Sequence, residues 1–178
     1  ILRRYGIPAN FYITSGFIDK NGMSWIDQIE LCLERFMPRR LITPWREGPY
    51  NLGNVESEKQ FLDDVRKYVK GDKRLDPAEI VQTIYKQCAE EVITSSDDLL
   101  DRKMTWAQVS ELASDPLFTV GGHTHTHAIL GHLNSAEMKA EIDTPIAMLK
   151  SNANLSEVRH FSYPEGFEGS FTEETIEL

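Results

Sequence analysis

The fold of this chain is decided by the stretch Val120-Gly121-Gly122-His123-Thr124-His125-Thr126-His127. The apolar run that leads into it, residues 117–120, predicts a β-strand, which the glycine pair ends. Imidazoles bunched at the exit of a strand are suited to hold a divalent metal ion such as Zn²⁺. The glycine pair favours a tight turn, in which His123 and His127 share one side and His125 points away. On an extended strand, all three rings would share one face.

A third metal ligand is missing from this stretch. Catalytic zinc usually takes three protein ligands, often including a carboxylate, and no Asp or Glu stands beside the histidines. Paired acids occur at Asp63-Asp64 and at Asp97-Asp98. The first pair lies in a helical pattern and is predicted to be solvated surface, whereas the second is predicted to cap a helix. Neither pair therefore supplies an evident ligand or catalytic base.

The surrounding pattern predicts an α/β fold, because strand and helix signals alternate on either side of a mostly helical segment, residues 24–103. Capping residues and apolar periodicity mark the helices, and β-branched and aromatic runs mark the strands. Helices are predicted at 24–36, 57–70, 77–88, 105–112 and 134–150, with a possible kink at Pro145. Strands are predicted at 8–14, 117–121 and 158–163, with loops at 15–16 and at 38–55, the latter holding a short strand at 41–43.

Composition excludes some functions. The chain of 178 residues carries 19 Lys and Arg against 28 Asp and Glu, a net charge of −9, which argues against a nucleic-acid partner. No apolar run reaches the ~20 residues of a membrane span, and no signal peptide opens the chain, which favours a cytoplasmic location. Cys32 and Cys88 are predicted to be reduced, buried thiols rather than a disulfide.

Four segments, taken in order, resemble the polysaccharide deacetylases of carbohydrate esterase family 4, the NodB-homology domain. They are residues 1–12, Met104-Thr105-Trp106, Gly122-His123-Thr124-x-x-His127-x-x-Leu130, and Phe161-Ser162-Tyr163-Pro164-x-Gly166. The resemblance implies a distorted (β/α) barrel and a divalent metal, usually zinc. It assigns two metal ligands to His123 and His127 and places His125 at a variable position. Residues 24–103 correspond to a helical insertion within a single partial domain, 1–178.

The resemblance also marks departures from the family pattern. The aspartate that serves as third ligand, and the base beside it, would lie upstream of Ile1, and the general acid would lie beyond Leu178. The third motif maps onto Tyr163, Pro164, Glu165 and Gly166, the expected oxyanion or substrate segment. Ser162 replaces the family's Arg and Glu165 its Tyr. No catalytic base or acid is therefore identified in this chain.

The function implied by the resemblance is metal-dependent N-deacetylation of an acetylated polysaccharide or amino sugar, with little activity expected of this chain alone. Because the chain opens on what reads as a helix end and closes on a helix start, a fragment is expected, and an incomplete barrel would expose strand edges that favour homo-oligomers. One alternative is a non-catalytic remnant that binds metal or sugar. Another is an amidohydrolase-type metal enzyme, in which His123 and His125 would be the ligands.

Overall fold

A computed structural model describes residues 1–88, 91–96 and 98–178. They form two compact units: the strand-pair unit, Ile1–Gly22 with Asp97–Leu178, and the inserted unit, Met23–Ser96. The inserted unit begins one residue before the predicted insertion, 24–103, and ends seven residues before its end. The interpretation of residues 1–178 as one partial domain with this insertion stays a prediction. The predicted cap at Asp97 lies outside the described residues.

Helices and short strands alternate along the chain. In order they are α1 (Leu2–Tyr5), β1 (Ala9–Ile13), α2 (Ser15–Lys20), α3 (Trp25–Phe36), β2 (Arg40–Leu41), β3 (Tyr50–Asn51), α4 (Val55–Gly71), α5 (Pro77–Tyr85), α6 (Trp106–Ala113), β4 (Phe118–Gly122), a 3-10 turn (Leu130–His132), α7 (Ser135–Asn152) and α8 (Glu173–Glu177). The mixture confirms the α/β class. None of the described helices is long and apolar enough to cross a membrane.

A parallel strand pair organises the strand-pair unit. β1 lies beside β4 with Ala9 opposite Phe118 and Ile13 opposite Gly122, and Gly122 forms a further parallel bridge with Phe161. Parallel segments carry their carboxyl ends at one edge, which is where ligand sites form in open α/β sheets. The residues that follow β1, β4 and Phe161 therefore meet at the same edge.

The predicted barrel is not seen. The described residues form two two-stranded sheets, β1 with β4 in parallel and β2 with β3 antiparallel. Among these residues no strand covers the second edge of β1. Association of chains through such an edge stays a prediction, which light scattering would test.

The predicted strand at 158–163 is wrong. Only Phe161 forms a bridge, held by hydrogen bonds from Gly122 N to His160 O at 3.1 Å and from Ser162 N to Gly122 O at 2.9 Å. In the described part of the chain this segment has a partner on one side only, β4, so a longer ladder does not form.

Local capping chemistry explains most helix boundaries. The capping boxes predicted from Thr105 with Gln108 and from Asn134 with Glu137 are both confirmed. α4 begins at Val55 rather than Ser57, because Asn54 is its N-cap. The Asn54 side chain accepts a hydrogen bond from Ser57 N, and the Ser57 hydroxyl accepts one from Asn54 N, which completes a capping box. The loop predicted at 15–16 is wrong as well, since these residues open α2.

Each unit has its own apolar core. In the strand-pair unit, Ile13 and Val120 from the strand pair are buried with Val109 of α6 and Leu149 of α7. In the inserted unit, α3, α4 and α5 enclose a second core that includes Cys32, with Cys88 packed against it. Both cysteines are free, as predicted, but only Cys32 is buried, whereas Cys88 is half-buried. Burial raises the pKa of the Cys32 thiol to about 12.

One prediction about acidic surface residues is wrong. Asp63 is exposed, but its neighbour Asp64 is half-buried and accepts a hydrogen bond from the Tyr50 hydroxyl at 2.8 Å. The pattern of α4 alone could not show this, because the donor lies on β3, and the contact depends on how the β2–β3 hairpin packs.

We expect Gly121→Ala to destabilise the protein. A Cβ at Gly121 would lie 2.4 Å from the carbonyl oxygen of His160, a backbone atom that cannot rotate away. Overpacking of this kind lowers the free energy of unfolding by about 1–3 kcal/mol, which urea denaturation would measure. Gly22→Ala is the matched control in the same unit, because its nearest atoms lie 4.0 Å away. Equal effects of the two substitutions would contradict the prediction.

Candidate metal centre

The segment that follows β4, residues 123–127, is here called the histidine turn, and its first residues are tied to the exit of β1. His123 N donates to Ile13 O at 3.0 Å, and the Thr14 hydroxyl donates to His123 O at 3.0 Å. Thr124 is fully buried and has a left-handed backbone, with φ of 61°. The two hydrogen bonds extend the pairing of β1 with β4 by one residue. The chain then bends sharply at Thr124.

The start of α2 fixes the middle of the histidine turn. Gly16 N donates to His125 O at 2.9 Å, and a Cβ at Gly16 would lie 2.6 Å from that same oxygen. Only glycine allows this close approach of two backbones. The Ser15 hydroxyl lies 2.8 Å from His125 Nδ1. His125 is therefore held against the start of α2.

A carboxylate holds the other side of the histidine turn. Glu141 Oε2 accepts from His125 N and Thr126 N, both at 2.9 Å, and Oε1 accepts from the Thr126 hydroxyl at 2.9 Å. Glu141 lies on α7, which is anchored by the buried side chains of Met138 and Ile142. A helix and a short loop are thus joined by three hydrogen bonds to one charged group.

The structure brings His123 and His127 together. Their ring centroids are 4.8 Å apart and the ring planes meet at 74°. His127 reaches this position through a left-handed backbone conformation, with φ of 64°. The tight-turn alternative therefore describes the histidine turn, and the extended-strand alternative does not.

A hydrogen bond fixes the orientation of His123. Its Nδ1 lies 2.7 Å from the carbonyl oxygen of Ser162. Because a carbonyl can only accept, Nδ1 must carry the proton, and in the neutral ring this leaves the lone pair on Nε2. Metal-binding histidines commonly donate their second ring nitrogen to a backbone carbonyl in this way.

These observations fit part of a divalent metal site. Nitrogen ligands on adjacent side chains suit Zn²⁺, and the tautomer of His123 is correct for binding through Nε2. Across residues 1–88, 91–96 and 98–178, however, no group of three His, Cys, Asp or Glu side chains is arranged to hold a metal. Glu141 is near, but its oxygens accept hydrogen bonds from the turn.

The segment Tyr163–Gly166 begins one residue after the carbonyl that holds His123. Pro164 is buried, and Gly166 N donates to Pro164 O at 2.9 Å, which closes a tight turn. Glu165 and Gly166 both have left-handed backbones, with φ of 68° and 67°. Tyr163 packs on Phe171, with ring centroids 5.1 Å apart. An oxyanion role for this segment stays a prediction.

Sequence reasoning missed three residues that shape the site: Ser15, Gly16 and Glu141. Glu141 contacts the histidine turn from 15 and 16 residues away, and no short motif links the two. The sequence contained a weak indication for Ser15 and Gly16, because they directly follow the strand predicted at 8–14. The structure shows that this strand, β1, runs parallel to β4. Polar or small residues at that position belong to the same sheet edge as the histidines.

One known protein family matches nearly the whole chain. The sequence profile of polysaccharide deacetylase matches residues 1–177, a range that includes the histidine turn and Tyr163–Gly166. No curated protein and no solved structure shows significant similarity to the chain.

We expect Glu141→Ala to loosen the histidine turn. Hydrogen bonds to a charged group contribute roughly 1.5–3 kcal/mol, so amide hydrogen exchange at His125 and Thr126 should accelerate by about tenfold or more. Glu141→Gln should accelerate this exchange less, because the amide oxygen of Gln can still accept hydrogen bonds from the backbone. Asp143→Ala is the control, since Asp143 is exposed on the same helix and pairs with Lys139. Unchanged exchange in Glu141→Ala would refute the role of this residue.

Proposed function

Because this chain belongs to the polysaccharide deacetylase family, whose members are hydrolases that act on carbon–nitrogen bonds, we propose that it takes part in metal-dependent removal of acetyl groups from an acetylated polysaccharide or amino sugar. The observation that carries this proposal is the contact between the rings of His123 and His127, with the tautomer of His123 fixed for metal binding. Both side chains are half-exposed, so a substrate can reach them.

The two histidines would hold a divalent ion, and Zn²⁺ suits their nitrogen ligands best. When bound, such an ion polarises an acetamide carbonyl and makes its water a better nucleophile. The chain's own residues prepare this site. Ser162 orients His123, and Glu141 holds the backbone between the two ligands.

The segment Tyr163–Gly166 is proposed to face the oxyanion that develops on the substrate. Backbone N–H groups commonly form an oxyanion hole, and the one that this turn would offer is not that of Gly166, which donates to Pro164 O. The parallel β1–β4 pair and the bridge at Phe161 support a further proposal, that these segments belong to a distorted (β/α) barrel. An experimental structure of a longer polypeptide would test it.

The amidohydrolase alternative requires His123 and His125 as ligands. The contact between the rings of His123 and His127 supports His127 instead, whereas His125 is held against the start of α2 through its carbonyl oxygen and its Nδ1. The alternative of a non-catalytic remnant predicts metal or sugar binding without turnover. Metal binding therefore tests the ligands, and acetate release tests the chemistry.

We predict that Zn²⁺ binds the 178-residue chain weakly and through His123 and His127. Removal of a residue that only supports a metal ligand typically weakens metal binding by about 10–100-fold. Replacing a ligand itself, His123 or His127, by Ala should therefore weaken Zn²⁺ binding by about tenfold or more. Isothermal titration calorimetry with Zn²⁺ would measure this. His125→Ala is the critical control, because its ring faces Ser15, and it should leave the affinity unchanged.

Two outcomes would contradict these ligands. Nanomolar binding that survives His127→Ala would place the metal elsewhere. A large loss in His125→Ala with none in His127→Ala would favour the amidohydrolase pairing. Circular dichroism of each variant separates lost ligands from lost folding.

We also predict that these 178 residues alone release acetate from acetylated chito-oligosaccharides far more slowly than typical enzymes, which turn over at ~1–10³ s⁻¹. Among the described residues, no base or acid is assigned, and such groups contribute roughly 10²–10⁴-fold. The assay is acetate release with Zn²⁺ or Co²⁺ supplied. Turnover at ordinary enzymatic rates would mean that an acidic residue not assigned to the site acts as the base.

A further inference from the structure

The inserted unit carries an open cleft that the proposed reaction does not use. Its volume is about 460 Å³, and the residues that decide its chemistry are Trp45, Arg46, Tyr50, Asp64, Lys67 and Tyr68. We propose that this cleft binds one pyranose ring of an uncharged, N-acetylated glycan. The choice of glycan rests on the proposed function, whereas the shape and charge of the cleft do not.

Two aromatic rings form one wall of the cleft. The loop between β2 and β3 places Trp45 against Tyr68 of α4, with ring centroids 4.8 Å apart and planes tilted by 29°. Both side chains are half-buried, so part of each ring remains accessible. Binding sites for small ligands combine such apolar walls with a few convergent polar groups. An aromatic surface suits the C–H face of a pyranose ring.

Hydrogen bonds fix this wall before a ligand arrives. Trp45 Nε1 donates to the Tyr50 hydroxyl at 3.1 Å, and that hydroxyl donates to Asp64 Oδ2 at 2.8 Å. Tyr50 is only 3% exposed. Its burial and the Asp64 carboxylate raise the pKa of the hydroxyl, so it stays a donor. A wall that is already ordered lowers the entropic cost of binding.

The charges around the cleft balance. The Arg46 guanidinium lies over the Tyr50 ring, 4.4 Å from its centroid, and Lys67 is exposed beside it. Asp64 and Asp72 oppose these two cations, and Asp72 also binds Arg74. Because the lining carries as many carboxylates as cations, it disfavours a free anion such as phosphate. Hydroxyl and acetamido groups both donate and accept, so they can use cations and carboxylates together.

The experiment is an NMR titration of the full chain with N-acetylated chitotetraose, in which the indole Nε1 resonance of Trp45 is followed. We expect a saturable shift with a dissociation constant on the order of 1 mM or tighter. Inorganic phosphate is titrated in parallel. A response of the Trp45 resonance to phosphate but not to the tetrasaccharide would overturn the proposal, as would no saturable response to the tetrasaccharide.

Two lysines of α4 make a matched pair of variants. Lys67 lines the cleft, whereas Lys59 is exposed on the same helix outside it. Lys67→Ala should weaken tetrasaccharide binding by about threefold to tenfold, the value of one hydrogen bond to the ligand, and Lys59→Ala should not. Equal affinities of the two variants would overturn the proposal. Neither residue is in the core, so folding is not at risk.

The proposal and the proposed function can fail separately. His127→Ala should leave tetrasaccharide binding at Trp45 unchanged, and Lys67→Ala should leave Zn²⁺ binding unchanged. Loss of the Trp45 response in His127→Ala would show that the cleft is not an independent site and would overturn the proposal. Trp45→Ala, checked for folding by circular dichroism, should abolish tetrasaccharide binding, which isothermal titration calorimetry would follow because this variant lacks the indole resonance.

Discussion

The candidate metal centre depends on the close parallel approach of β1 and β4. Because the two strands run side by side to their carboxyl ends, the chain that leaves β1 meets the chain that leaves β4. Gly16 then lies so near His125 O that a Cβ would clash at 2.6 Å, and the Gly16 N–H donates to the same oxygen. This contact fixes the bend of the backbone at His125, between His123 and His127.

A second consequence of the strand pairing is the fixed tautomer of His123. Gly122 bonds to both sides of Phe161, through His160 O and Ser162 N, and this brings the Ser162 carbonyl to His123 Nδ1. A Cβ at Gly122 would lie 2.7 Å from the Phe161 ring. The glycine pair therefore ends the strand and also leaves room for residues 160–162, whose Ser162 carbonyl orients His123. Backbone packing thus sets the tautomer of a side chain.

Features governed by neighbours in sequence could be predicted, and features governed by distant contacts could not. The capping boxes of α6 and α7 and the end of the strand at Gly122 follow from residues within a few positions. The proximity of His123 and His127 also follows from a turn after two glycines. The prediction of a strand at 158–163 is wrong, and so is that of a solvated Asp64, because both features depend on contacts that only the folded chain supplies.

A carboxylate that contacts the histidine turn invites the interpretation of a third metal ligand, and Glu141 is such a carboxylate. Its hydrogen bonds argue against that role. Three donors of the histidine turn converge on its two oxygens, each bond worth roughly 1.5–3 kcal/mol before solvent screening. Turning the carboxylate toward a metal would break those hydrogen bonds and loosen the backbone that positions His123 and His127. Glu141 therefore holds the histidine turn rather than supplying a third ligand to the proposed metal.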